Sequence, residues 1–205
     1  MCQYSASSKS LDIPQILDDA EYYCTDNISK QGADIVFIVG EFERVSFGVF
    51  RLVFEASGLN KGDMDIKGVY DNLLLPERAT SGSAGYDFKT PVDLSLAAGE
   101  TITIPTGIRA KIDEGWWLAI FPRSGHGFKY RIQLDNTVGV IDSDFYSSPG
   151  EGHIMIKLTN DSREGKTMQA SRGTGFAQGV FLPYGITRAD GAKGERKGGF
   201  GSTGG

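Results

Sequence analysis

Asp142 and Asp144 stand on either side of Ser143, directly after Gly139-Val140-Ile141 and before Phe145. The Val-Ile pair favours a strand, and Asn136 and Gly139 favour a turn before it, so the stretch reads as a hairpin arm ending in a carboxylate. A carboxylate at the mouth of a strand can take a proton from water or face a metal-bound phosphate. Asp-rich turns are also common as plain surface turns, so the weight rests on the other stretches of the same kind. Gly85-Tyr86-Asp87-Phe88 follows Gly82-Ser83-Ala84, and Phe121-Pro122-Arg123-Ser124-Gly125 closes a tryptophan-rich run. Gly173-Thr174-Gly175-Phe176-Ala177-Gln178 comes next, and Arg196 through Gly204 ends the series. Together they supply cations, hydroxyls, an amide, glycine N–H groups and carboxylates. That inventory suits a polyphosphate whose magnesium is held largely by the phosphate oxygens.

Other chemistries find less support. Only His126 and His153 are available as histidines, the first inside a turn and the second read as a strand-start residue, so a Ser-His-Asp triad is unsupported. Glu164-Gly165-Lys166-Thr167 ends like a phosphate-binding P-loop. Asn160 stands where its first glycine belongs, and no helix is expected after Thr167. Such a loop works through a helix N-terminus facing the phosphate, so this one is rejected.

The elements that must position these residues are short strands. From about residue 66 the chain alternates apolar and polar residues in brief runs broken by Gly, Pro, Asn and Asp. Thr101–Pro105, Ile108–Ile112, Trp117–Phe121, Ile154–Thr159 and Val180–Leu182 are the clearest. Many short strands with no helical pattern between them indicate an all-β sandwich or barrel. Upstream, Asp12–Cys24 has helical spacing and Asp34–Gly40 reads as a strand. Glu41–Glu55 fits either period and is read as a helix, and Ser57–Asp65 as a linker. The expected division is therefore an extension and linker over 1–65 and a β domain over 66–205 with a Gly-rich C-terminal arm.

Composition sets outer limits. The 205 residues carry a formal net charge of -5, which argues against general binding to nucleic acid. Two cysteines, Cys2 and Cys24, are too few for a disulfide framework or a zinc site. No apolar run is long enough to span a bilayer, and no signal pattern opens the chain, so no membrane role and a cytoplasmic location are expected. Glycine is abundant at 28 residues and concentrates in the tail, where Arg196, Lys197, Phe200, Ser202 and Thr203 lie between glycines. A flexible arm with cations, hydroxyls and a ring reads either as a lid over an anion or as a free terminus.

In this order, the five stretches resemble the motifs of the trimeric deoxyuridine triphosphatases (dUTPases), from about Asp71 to Gly205. Ile141-Asp142-Ser143-Asp144 and Gly199-Phe200-Gly201-Ser202-Thr203-Gly204 are the most discriminating parts. Phe42–Ser46 and Ser147–His153 are similar to segments of bacterial and phage members. The resemblance implies a dUTPase-like distorted jelly-roll, preceded by a short, partly helical extension. It implies a homotrimer with shared active sites that cleaves dUTP to dUMP and pyrophosphate with Mg2+. Asp142 would be the general base, and Asp87 would orient the metal through water. Arg123, Ser124, Gly125 and Gln178 would hold phosphates, and Asn136 through Val140 would read the uracil edge. Phe145 would pack on the deoxyribose. Arg196 would clamp the γ-phosphate, with Phe200, Gly201 and Ser202 closing over the base. Phe145 stands where Tyr is common, Gly175 where a basic residue is common (Arg172 being a candidate substitute), and His126 where an apolar residue is common. Residues 1–40 lie outside the resemblance and are left for an unassigned partner. The rival readings are a dCTP deaminase of the same fold and a regulatory protein gated by nucleotide.

Overall fold

The computed structural model describes residues 37–196, 198 and 199. The helix expected over residues 12–24 and most of the strand expected over 34–40 lie outside them. So do Phe200, Gly201 and Ser202. The chain divides between Val39 and Gly40, and the larger unit, beginning at Gly40, contains every element described below.

That unit opens with β1 (Gly40–Arg44), α1 (Phe47–Ala56) and α2 (Ile66–Asp71). The strands β2 (Glu77–Arg78), β3 (Tyr86–Lys89), β4 (Leu94–Leu96), β5 (Thr101–Pro105), β6 (Ile108–Ile112) and β7 (Trp116–Pro122) follow. Next are α3 (Ser124–Tyr130), β8 (Ile132–Leu134), β9 (Gly139–Asp142) and a 3-10 helix over Ser143–Ser147. The fold closes with β10 (Met155–Asn160), β11 (Met168–Ala170) and β12 (Gly175–Pro183). A five-stranded sheet has the order β2-β3-β12-β7-β9, and smaller sheets are β5-β10-β8, β1-β6 and β4-β11. Every pairing is antiparallel. The expected all-β, jelly-roll-like class is what forms.

Period-2 patterning builds the core. Ile108, Ala110 and Ile112 turn inward along β6, and Ile156, Leu158 and Asn160 along β10, with Lys157 exposed between them. Asn160 is fully buried because its amide is used up. Its Nδ2 donates to Leu96 O and Lys166 O, both at 2.8 Å, and its Oδ1 accepts from Ser162 N–H at 3.0 Å. The residue that excludes a P-loop is thus the knot of the 160–166 turn.

Three expectations need correction. Glu41–Glu55 is not one helix but β1 followed by α1. Glu41 and Glu43 lie across from Lys111 and Arg109 in the β1–β6 register, and only at Ser46, whose hydroxyl accepts from Val49 N–H, does the helix start. The compact unit begins at Gly40, so residues 40–65, expected as extension and linker, are packed within it. The Phe42 ring packs 5.7 Å from Phe88 and 5.5 Å from Phe181, Phe50 and Phe54 are fully buried, and even Leu59 in the expected linker is buried. Finally, α2 and α3 interrupt a region expected to lack helices. α3 buries none of its residues and contains two glycines, so neither propensity nor periodicity marks it. Among the described residues no helix is long and apolar enough to cross a membrane.

Candidate active site

Among the described residues β9 sits at the edge of the five-stranded sheet and pairs only with β7, Gly139 opposite Ile120 and Asp142 opposite Trp117. Glycine is needed at 139, because a Cβ there would lie 2.9 Å from Ile120 Cβ. Alternation then buries Ile141 and leaves Val140 57% exposed. Asp142 closes the strand in extended conformation and starts the 3-10 helix, its side chain 49% exposed. The expected hairpin is not a true one. β8 pairs with β10, so the residues between β8 and β9 cross from one sheet to another. The crossing is tight: Val138 N–H donates to Asn136 O at 2.7 Å, over Thr137 at φ 66°.

Arg196 reaches this strand end from the C-terminal segment. Its Nη2 bonds the Asp142 carboxylate, its Nε donates to Asp144 Oδ1 at 2.7 Å, and its guanidinium carbon lies 5.7 Å from the Phe145 ring centre. Only 15% of the Arg196 side chain is exposed. The Asp144 hydrogen bond, with the charges of both acids, raises the guanidinium pKa against the opposing cost of burial. Phe145 is 6% exposed. A cleft of about 600 Å³ is bounded by Asp142, Asp144 and Arg196 together with Ile112, Glu114 and Tyr184. The last three were not foreseen. They lie on β6, in the β6–β7 turn and just past β12, and only strand pairing brings them beside β9.

A second group forms where β3, β12 and the end of β7 meet. Gln178 is opposite both Asp87 and Phe121, and its Nε2 donates to Pro122 O at 3.2 Å. Arg123 Nε lies 3.1 Å from Asp87 Oδ1, and Arg123 Nη1 donates to Gly175 O at 3.2 Å. A Cβ on Gly175 would approach Arg123 Nη1 to 3.0 Å, and one on Gly85 would meet Gln178 Oε1 at 2.7 Å. Gly175 is therefore small because Arg123 and Asp87 occupy the space. Arg172 is engaged elsewhere, its guanidinium donating to Gly68 O on α2 at 3.3 Å. Ser124 and Gly125 follow Arg123 as the first residues of α3. His126 is partly buried, which lowers its pKa against a hydrogen bond to the Phe176 backbone. His153 is not a simple strand-start residue. It is buried just before β10, its Nε2 accepts from Gly107 N–H at 2.8 Å, and burial pushes its pKa down to about 4.

The two groups do not meet within one chain. Asp142 lies beside Trp117 at one end of β7, whereas Arg123 follows Pro122 at the other. At ~3.3 Å per residue the strand separates them by roughly 20 Å. Gly139, opposite Ile120, falls midway between the two ends. Among the described residues no group of three or more His, Cys, Asp or Glu side chains gathers as a metal cage.

The dUTPase family model matches residues 71–204. The deoxyuridine 5'-triphosphate nucleotidohydrolase of Lactococcus lactis subsp. lactis is 41% identical over 133 residues, 63% of this chain and 87% of that protein. Its counterpart from Psychromonas ingrahamii is 46% identical over 112 residues, 53% of this chain and 70% of that protein. The crystal structure of dUTPase from Streptococcus mutans aligns with a TM-score of 0.53 at 32% identity, over 73% of this chain and 98% of that one. By fold, by the order of its motifs and by these matches, the chain belongs to the dUTPase family.

Proposed function

We propose that Asp142 is the general base with which this chain hydrolyses dUTP to dUMP and pyrophosphate. The observation that carries this reading is its position: a half-exposed carboxylate at a strand mouth, beside a second acid and a partly buried guanidinium. Asp142 takes a proton from water as the water oxygen bonds the α-phosphorus. The bond from that phosphorus to the bridging oxygen breaks, and pyrophosphate leaves with the electron pair. Arg123, Ser124, Gly125 and Gln178 hold the phosphates. Arg196 leaves its two acids for the γ-phosphate, freeing Asp142 to act. Asn136 and the β9 backbone to Val140 read the uracil edge, Phe145 packs on the deoxyribose, and Phe200, Gly201 and Ser202 close over the base.

The donors present fit Mg2+, which keeps several waters and takes phosphate oxygens in place of an all-protein cage. Asp87, paired with Arg123, would hold it through water. When bound, the ion neutralises charge on the phosphate oxygens. The gap of roughly 20 Å between Asp142 and Arg123 supports a homotrimer in which each site combines groups from different chains. This reading includes a separate, unassigned partner for residues 1–40.

Nucleotide triphosphates should be offered one at a time while pyrophosphate and ammonia are followed. Pyrophosphate from dUTP without ammonia is expected. Ammonia from dCTP would make the chain a deaminase, and nucleotide binding with neither product would make it a regulatory binding protein.

A further inference from the structure

The 3-10 helix that carries Phe145 is tied to β1, a strand lying outside the 71–204 range of the family model. Glu43 faces Arg109 in the β1–β6 register, which places both side chains on one face. The Glu43 carboxylate accepts from Arg109 Nε at 3.0 Å, from Arg109 Nη2 at 2.6 Å and from the Tyr146 hydroxyl at 2.9 Å. The ring of contacts closes on itself, because the Arg109 guanidinium carbon also lies 4.3 Å from the centre of the Tyr146 ring. The Tyr146 hydroxyl, followed by Arg109, holds the Glu43 carboxyl below the ordinary range. A second tie joins the same two regions: Glu151 Oε2 accepts from Ser46 N–H at 2.6 Å.

In a 3-10 helix successive side chains point ~120° apart, so fixing one residue fixes the rotation of the next. Tyr146 directly follows Phe145, and its hydroxyl is anchored where that of Phe145 is lacking. We propose that Glu43, Arg109 and Tyr146 form a brace that positions the Phe145 ring and so sets discrimination against a 2'-hydroxyl. This rests on the reading of Phe145 as the ring that packs on the deoxyribose. The three are positioning residues, since none of them reaches the cleft around Asp142 and Arg196.

The test is steady-state kinetics on dUTP and UTP for Tyr146→Phe, Glu43→Gln and Arg109→Lys, with Phe145→Ala alongside and melting temperatures recorded. A hydrophobic pocket rejects an added hydroxyl by roughly a hundredfold. A loosened ring should lose much of that, so the ratio of kcat/KM for dUTP over UTP should fall about tenfold in Tyr146→Phe and Glu43→Gln. Arg109→Lys, which keeps the charge and loses the fork, should fall between these and the parent. If Phe145→Ala lowers the ratio while the brace variants only lose melting temperature, the brace is structural and the proposal fails. If Phe145→Ala also leaves the ratio unchanged, the sugar-packing reading fails and takes the brace's role with it. Should Glu43→Gln not fold, Tyr146→Phe alone decides, since it removes one hydroxyl and keeps the ring.

Discussion

Two inactive variants, Asp142→Asn and Arg123→Ala, should restore each other when their chains are mixed. β7 has Asp142 beside Trp117 at one end and runs into Arg123 at the other, roughly 20 Å away at ~3.3 Å per residue. A general base works within ~3 Å of the proton it takes, and a triphosphate is shorter than the gap. A single chain therefore cannot apply its own Asp142 and its own Arg123 to one nucleotide. Removing the base should cost at least ~100-fold in kcat, and removing a phosphate-binding cation a similar factor. In the proposed trimers, assembled at random from equal amounts of both variants, about a quarter of the sites would combine an intact Asp142 with an intact Arg123 from a neighbour. Pyrophosphate release from dUTP should recover to roughly a quarter of the parent rate per site, well above either variant alone. The chains would be unfolded together, refolded and shown to be mixed by differential tags. Mixed oligomers as inactive as their parents would confine each site to one chain and refute the reasoning.

Asp142→Asn alone should lose ~100-fold or more in kcat while dUTP binding, measured by calorimetry, stays within about tenfold, because the amide keeps the shape and loses only the proton acceptor. Removing residues 1–39 should leave a folded protein by circular dichroism, whereas removing 1–65 should not. The longer deletion takes away β1 and the fully buried Phe50 and Phe54, each of which would cost ~3–5 kcal/mol if truncated to Ala. His153 should make the fold acid-sensitive. Its folded pKa of about 4 lies below the usual 6.5, so the unfolded chain binds the extra proton between those values. Stability should be complete above pH 6.5 and fall by up to about 3 kcal/mol as pH drops through that window. Melting temperatures of His153→Gln should fall less steeply over the same range.

Local patterns in the sequence determined much of this protein. The alternation at Ile108–Ile112 and along β10 could bury only one face, whatever the partner strand, so strands and core residues follow from period alone. The types and order of the motif residues likewise pointed to the dUTPase family, and the family match agrees. Tertiary structure decided what depends on distant neighbours. Glu41–Glu55 fits both periods, and pairing with β6 makes its first part a strand. The boundary at Gly40 follows from Phe42, Phe50 and Phe54 finding partners far along the chain, which no composition shift records. Arg196 is a free cation in the sequence and an ion-pair partner of Asp142 and Asp144 in the fold. Above all, the motifs list Asp142 and Arg123 as one site, while the β7–β9 register sets them at opposite ends of a strand. Residue type is carried by each position alone, but register is chosen by the packing of both sheet faces, and that exists only once the whole chain has folded.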